Sequence, residues 1–162
     1  MTHRVRKFPT YNAALAVAYE EEASGLAYWT SLAGQHEGRQ REALQLMVRI
    51  HELTLATLAP LVEKHRCSVF TAHGMERQGN REAAVVKAFE WPRLLQRLQD
   101  EHAPFIIEFH DLVAAGPDDD RPMLGLVAAA GEAIVEFARR ESAGDVSSLQ
   151  PLTQVIERLE SR

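Results

Sequence analysis

Apolar residues recur along this chain at intervals of three and four, and proline, glycine and acidic clusters break the pattern into separate helical stretches. The first runs from about residue 11 to 34, behind Pro9-Thr10, with Thr10 or Asn12 placed to cap it. A second runs from about 39 to 65, and its core face reads Leu44, Met47, Ile50, Thr54, Leu58, Leu61 and Val62. The turn between them, Gly34 to Gly38, is short, so the two form an antiparallel hairpin. A third stretch, about 91 to 115, opens on Trp91-Pro92, where proline suits a first turn. A fourth covers about 121 to 142 after the acidic turn Pro117-Asp118-Asp119-Asp120, which gives a second hairpin. Leu149, Leu152, Val155, Ile156 and Leu159 predict a shorter fifth helix over about 149 to 160. Strand alternation is confined to short ambiguous stretches such as Ser68-Val69-Phe70, so the chain reads as all-α and as a single domain. Residues 66 to 90, with Gly74, Gly79 and Asn80, read as a long crossover between the hairpins. Pro60 and Pro104 fall inside predicted helices and should bend them.

Composition narrows the function classes more than the fold. A chain of 162 residues, 46% hydrophobic and 25% charged, is long enough for one sizeable core. A net charge of −5 gives no electrostatic footprint for nucleic acid, and Arg4, Arg6 and Lys7 are too few to create one. No apolar run approaches the roughly 20 residues of a membrane span, and no signal-peptide core follows the N-terminal basic residues. The expected location is cytoplasmic. A single cysteine, Cys67, excludes an internal disulfide and a Cys-x-x-Cys metal knuckle. His65, Cys67 and His73 match no zinc spacing and read as surface residues of the crossover, while Asp118 to Asp120 read as a solvated turn at the positive end of a helix.

The acidic cluster Glu20-Glu21-Glu22 carries the main chemical signal. At about 100° per residue, Glu21 falls in line with Ala14, Val17, Ala18, Gly25, Tyr28 and Leu32, with Glu20 and Glu22 towards opposite edges of the stripe. Burying a carboxylate without a partner costs several kcal/mol, so a metal, a His or an Arg is expected to face Glu21.

Two hairpins joined by one long crossover is also the connectivity of ferritin-like bundles. The stretch Ala16-Val17-Ala18-Tyr19-Glu20-Glu21-Glu22-Ala23, followed by Tyr28 and Leu32-Ala33, resembles the first helix of rubrerythrin-type members of the ferritin-like superfamily. The resemblance covers about residues 11 to 142. It implies an antiparallel four-helix bundle with a short C-terminal helix added, homodimers paired through helices one and two, and iron chemistry that consumes peroxide or oxygen or oxidises iron. It further implies a glutamate on two helices and Glu-x-x-His on the other two.

The chain departs from that ligand pattern. On helix two the apolar stripe turns Glu52 outward and His51 inward, so that His51 and Thr54 occupy the motif positions. On helix three the inner face reads Leu94, Leu95, Leu98, His102, Phe105, Phe109, Leu112 and Val113, with Glu101 at its boundary. On helix four the inner set is Met123, Val127, Ala130, Gly131, Ile134 and Ala138, with Glu132 and Glu136 outside. Glu21, His51 and His102 could hold a single Zn²⁺ or Fe²⁺ with an open position, or could form a hydrogen-bonded core triad. An alternative register, Glu52, Glu101 and Glu132, gives equal separations within the hairpins and would supply a diiron site, at the cost of turning solvent-facing carboxylates inward. The paired cysteines of a rubredoxin module are absent. Two functions from different classes therefore stand at this point: a helical scaffold that binds a ligand or a second copy, with Leu46 and Leu53 leaving apolar surface on helix two, and a metal-dependent oxidoreductase.

Overall fold

A computed structural model describes residues 4–162. The described residues form six α-helices and no strand: α1 (Tyr11–Ala33), α2 (Gly38–Lys64), α3 (Ala72–Val86), α4 (Trp91–Ala115), α5 (Arg121–Ser142) and α6 (Gln150–Glu160). The fold is all-α. Local chemistry sets the helix limits. Thr10 Oγ1 accepts from the Ala13 amide at 3.1 Å at the start of α1, and α4, α5 and α6 each carry proline in the first turn, where no amide is needed. Pro60 and Pro104 stand inside α2 and α4, which run on through them.

The crossover differs from its expectation, because residues 72–86 are helical. Glycines 74 and 79 and Asn80 weaken helix formation in isolation, but packing on α1 overrides propensity. Met75, Gly79, Ala83 and Val86 form a buried stripe at helical spacing, and Thr71 Oγ1 caps the start by accepting from the Gly74 amide at 3.1 Å. At Gly79 the two backbones nearly touch. A Cβ there would stand 2.0 Å from the Ser24 carbonyl oxygen and 2.9 Å from Ala27 Cβ. Only glycine permits this approach.

The α1–α2 and α4–α5 hairpins pack side by side, α2 against α5, with α1 meeting α4 more loosely. Their apolar side chains form two clusters. One surrounds Trp29, Leu44, Met47, Leu98 and Phe137; the other surrounds Leu15, Leu58, Leu61, Leu112 and Leu124. Helix α6 lies on α2 and α5, and Arg49 reaches Glu160 at 2.8 Å across that contact. This corrects the surface expected on helix two: Leu53 is buried, and Leu46 packs against the cluster that contains Leu152, Val155 and Leu159. The surplus apolar width of α2 is consumed within the chain. No described helix is long and apolar enough to cross a membrane.

The acidic turn is also more than solvated. Asp120 is fully buried and accepts from Lys64 Nζ at 2.6 Å, His65 Nε2 at 2.6 Å and Tyr11 Oη at 3.0 Å, tying together the start of α1, the end of α2 and the start of α5. Burial works against its charge, but the bonds from Lys64, His65 and Tyr11 hold its pKa below the ordinary carboxylate value. A depressed acid contributes stability above its unfolded pKa of about 4, and that contribution is lost as pH falls through the lower folded value.

Two measurements check this account. Gly79→Ala should lower unfolding free energy by about 1–3 kcal/mol or more through overpacking, whereas Gly125→Ala, which meets nothing within 4 Å, should raise it by roughly 0.5–1 kcal/mol; paired denaturant titrations read both signs. Asp120→Asn should cost about 2–4 kcal/mol near pH 7, and the gap to the unaltered protein should close below about pH 4.

Candidate functional site: a charged cavity between the hairpins

A cavity of about 660 Å³ opens where the two apolar clusters meet, and its walls come from α1, α2, α4 and α5, with Gln78 and Glu82 of α3 at its edge. Trp29, Leu94, Leu98, Phe105 and Ile134 supply apolar wall, and ionisable groups interrupt it.

The first of these is Arg6, from the non-helical segment that precedes α1. Its Nη2 lies 2.5 Å from Glu21 Oε1 and 2.6 Å from Glu108 Oε2, and its backbone amide donates to Glu108 Oε1 at 2.6 Å. The guanidinium also stands 5.4 Å from the Phe8 ring centroid and 5.7 Å from that of Phe105. The partner expected opposite Glu21 is thus an arginine from outside the helical pattern. Desolvation nonetheless raises the Glu21 pKa to about 7; Arg6 opposes the rise, while the charges of Glu108 and Glu22 add to it.

Glu22, not Glu21, meets the second hairpin helix. Its Oε2 accepts from the Thr54 hydroxyl at 2.5 Å and lies 3.7 Å from His51 Nε2. The other ring nitrogen, His51 Nδ1, donates to the Met47 carbonyl at 2.9 Å. Gly25 makes room for the ring, since a Cβ there would fall 2.6 Å from His51 Cδ2 and 2.7 Å from Nε2. The stripe on α1 is therefore shifted from the sequence expectation, and the reason is physical. Helix α1 is covered by both α2 and α3, so its buried positions, Leu15, Ala18, Ser24 and Trp29 among them, do not follow one face.

His102 lies deep between the hairpins while keeping part of its ring open to the cavity. Its centroid is 6.3 Å from Trp29 and 5.9 Å from Phe105. Burial, reinforced by His51 nearby, lowers its pKa to about 4, so the ring is neutral at physiological pH. Tyr28 stacks edge-on against Trp29 at 4.6 Å, and burial raises its pKa although Arg97 opposes the shift.

The sequence-selected groups thus separate into three sets. His51 and His102 line one cavity, as does Glu21, whose carboxylate is given to Arg6. Glu101 lines the same cavity and pairs with Arg97 at 2.8 Å. Glu52 and Glu132 stand on the outer surface, paired with Arg49 at 3.1 Å and His110 at 2.7 Å. Among the described residues, no three His, Cys, Asp or Glu side chains are grouped so as to hold a metal ion. The bridging carboxylates of a two-metal centre are not supplied by this donor arrangement. His65 belongs to the Asp120 clasp, and His73 is exposed beside Glu76.

Sequence reading missed Arg6, Glu22, Arg97 and Glu108. Glu108 carried a signal, since it stands at helical spacing between Phe105 and Leu112, the same placement that singled out Glu21. Arg6 carried none, because it lies in an irregular segment outside the helices, where no periodicity reports burial. The chain matches no protein-family model, no curated protein and no solved structure.

Both titrations are measurable. His102 should remain neutral at pH 5.5, seen as ring ¹⁵N shifts that do not change until pH approaches 4. For Glu21 the folded state holds the proton more tightly than the unfolded chain, so its ionisation removes stability as pH rises from about 4.5 to about 7. The change in Tm caused by Glu21→Gln should accordingly be more favourable at pH 8 than at pH 5.

Proposed function

We propose that this protein is a ferritin-like helical scaffold whose interior binds a small molecule in place of two-metal chemistry. The observation that carries the reading is the cavity itself. Its volume of about 660 Å³ lies within the roughly 300–1,000 Å³ of ordinary ligand sites, and apolar walls with a few convergent polar groups are what such sites contain. Two helical hairpins joined through a long connection support the ferritin-like part of the proposal, although that connection contains α3.

One observation favours a second reading. Because His51 Nδ1 is anchored to the Met47 carbonyl, Nε2 is left to face the cavity, and metal-binding imidazoles are commonly oriented in this way. A single Fe or Zn held by His51 and His102 with Glu21 or Glu22 would require these side chains, which are not grouped to hold a metal in this arrangement, to draw together. A diiron oxidoreductase would require Glu52 and Glu132 to leave their surface partners.

Calorimetric titration with indole, a neutral aromatic probe, tests the first reading. The protein should bind it, and Gly131→Leu, which places a side chain into the cavity, should weaken binding at least tenfold while Tm is retained. Absence of binding, or binding indifferent to Gly131→Leu, overturns the pocket. Elemental analysis of protein purified without chelator separates the alternatives: about one metal per chain, lost in His51→Ala, would replace this reading with the mononuclear one, and about two irons with the diiron one.

A further inference from the structure

Glu22 and His51 present an unmet demand at the cavity wall. A carbonyl can only accept, so the contact with Met47 fixes a hydrogen on His51 Nδ1. In the neutral ring Nε2 is then an acceptor, and it faces another acceptor, Glu22 Oε2, at 3.7 Å. That separation is too long for a shared hydrogen bond whichever group carries the proton. The Glu22 carboxylate is only 12% exposed, and the Thr54 hydroxyl is the one donor bonded to it among the described residues. Of the guanidiniums that line the cavity, Arg6 is committed to Glu21 and Glu108 and Arg97 to Glu101, while Arg4, also in the lining, makes no hydrogen bond or ion pair with Glu22. A donor group carrying positive charge, placed between Oε2 and Nε2, would satisfy both atoms.

The surrounding walls favour the same charge. Trp29, whose ring lies 6.3 Å from both the His51 and the His102 rings, offers the aromatic face most attractive to a cation. Tyr28, Phe105 and Phe109 extend the aromatic lining. His102 is neutral and adds no competing positive charge. An anion at this depth would instead face the Glu22 carboxylate, with Arg6 and Arg97 already paired to acids.

Resting on the pocket reading above, we infer that the ligand is a small organic cation, a primary amine on a flat apolar body, whose ammonium group sits between Glu22 and His51 and whose body lies against Trp29. The ammonium donates one hydrogen to Glu22 Oε2 and one to His51 Nε2, and the carboxylate balances its charge.

The test compares probes that share one ring system: tryptamine, the neutral indole-3-ethanol and the anionic indole-3-acetate, titrated calorimetrically at pH 7.5 with EDTA present so that no metal competes. Tryptamine should bind at least tenfold more tightly than indole-3-ethanol, with indole-3-acetate weakest. In E22Q, checked for folding by Tm, the preference should collapse to less than twofold. Equal affinity for tryptamine and indole-3-ethanol, or tightest binding of the acetate, overturns the cation and leaves the pocket standing. Binding of none of the three overturns the pocket, and the cation with it. The comparison in the unaltered protein decides the matter even where E22Q does not fold.

Discussion

The Arg6 guanidinium lies between Glu21 on α1 and Glu108 on α4, two acids that would repel each other across the gap between the hairpins. These two helices meet more loosely than the paired ones, and the ion bridge adds to the packing of Leu15 and Ala18 in one apolar cluster with Phe109 and Leu112. Glu108 is nearly buried while Arg6 and Glu21 keep 35% and 28% of their side-chain surface exposed, so the guanidinium compensates chiefly the acid that burial penalises most. The arrangement also fixes the segment before α1 over the cavity. Position of the N-terminal segment, separation of the hairpins and access to the interior therefore share one electrostatic origin.

Helix limits were legible in the sequence because capping and breaking residues act locally. Thr10, Pro92, Pro122 and Pro151 each work on their own turn, and no tertiary knowledge is needed to read them. The elements that escaped depend on neighbours. Helix α3 hides behind Gly74, Gly79 and Asn80, residues that oppose helix in isolation, and Gly79 is present because Ser24 is 2.0 Å from where a Cβ would be. Asp120 looks like one more acid in a turn until Lys64 and His65, more than fifty residues earlier, close over it.

The candidate site divides in the same way. His51 and His102 were found because a histidine on an apolar stripe is conspicuous, and both line the cavity. Glu21 was found for the same reason, but its partner came from a stretch without periodicity. Glu22 was assigned to an edge because the pattern on α1 was read as one face, whereas α2 and α3 cover that helix from two sides. Periodicity measures burial, and burial on two sides blurs the phase on which any choice between adjacent residues depends.

The cavity is open to solvent, and ionisable side chains interrupt its apolar wall. The interior must therefore be occupied by water or by a ligand, and its polar wall allows either. Packing does not force the space to exist. At Gly131 a Cβ would meet only Ile106, at an ordinary 3.6 Å, so a larger residue would fit and would begin to close the cavity. Gly25 is different, since any side chain there would displace His51. One small residue preserves the room and the other preserves the imidazole that faces it. A fold needing only a closed core would be more stable with a larger residue at Gly131 and an apolar residue at Glu22, and the chain has neither.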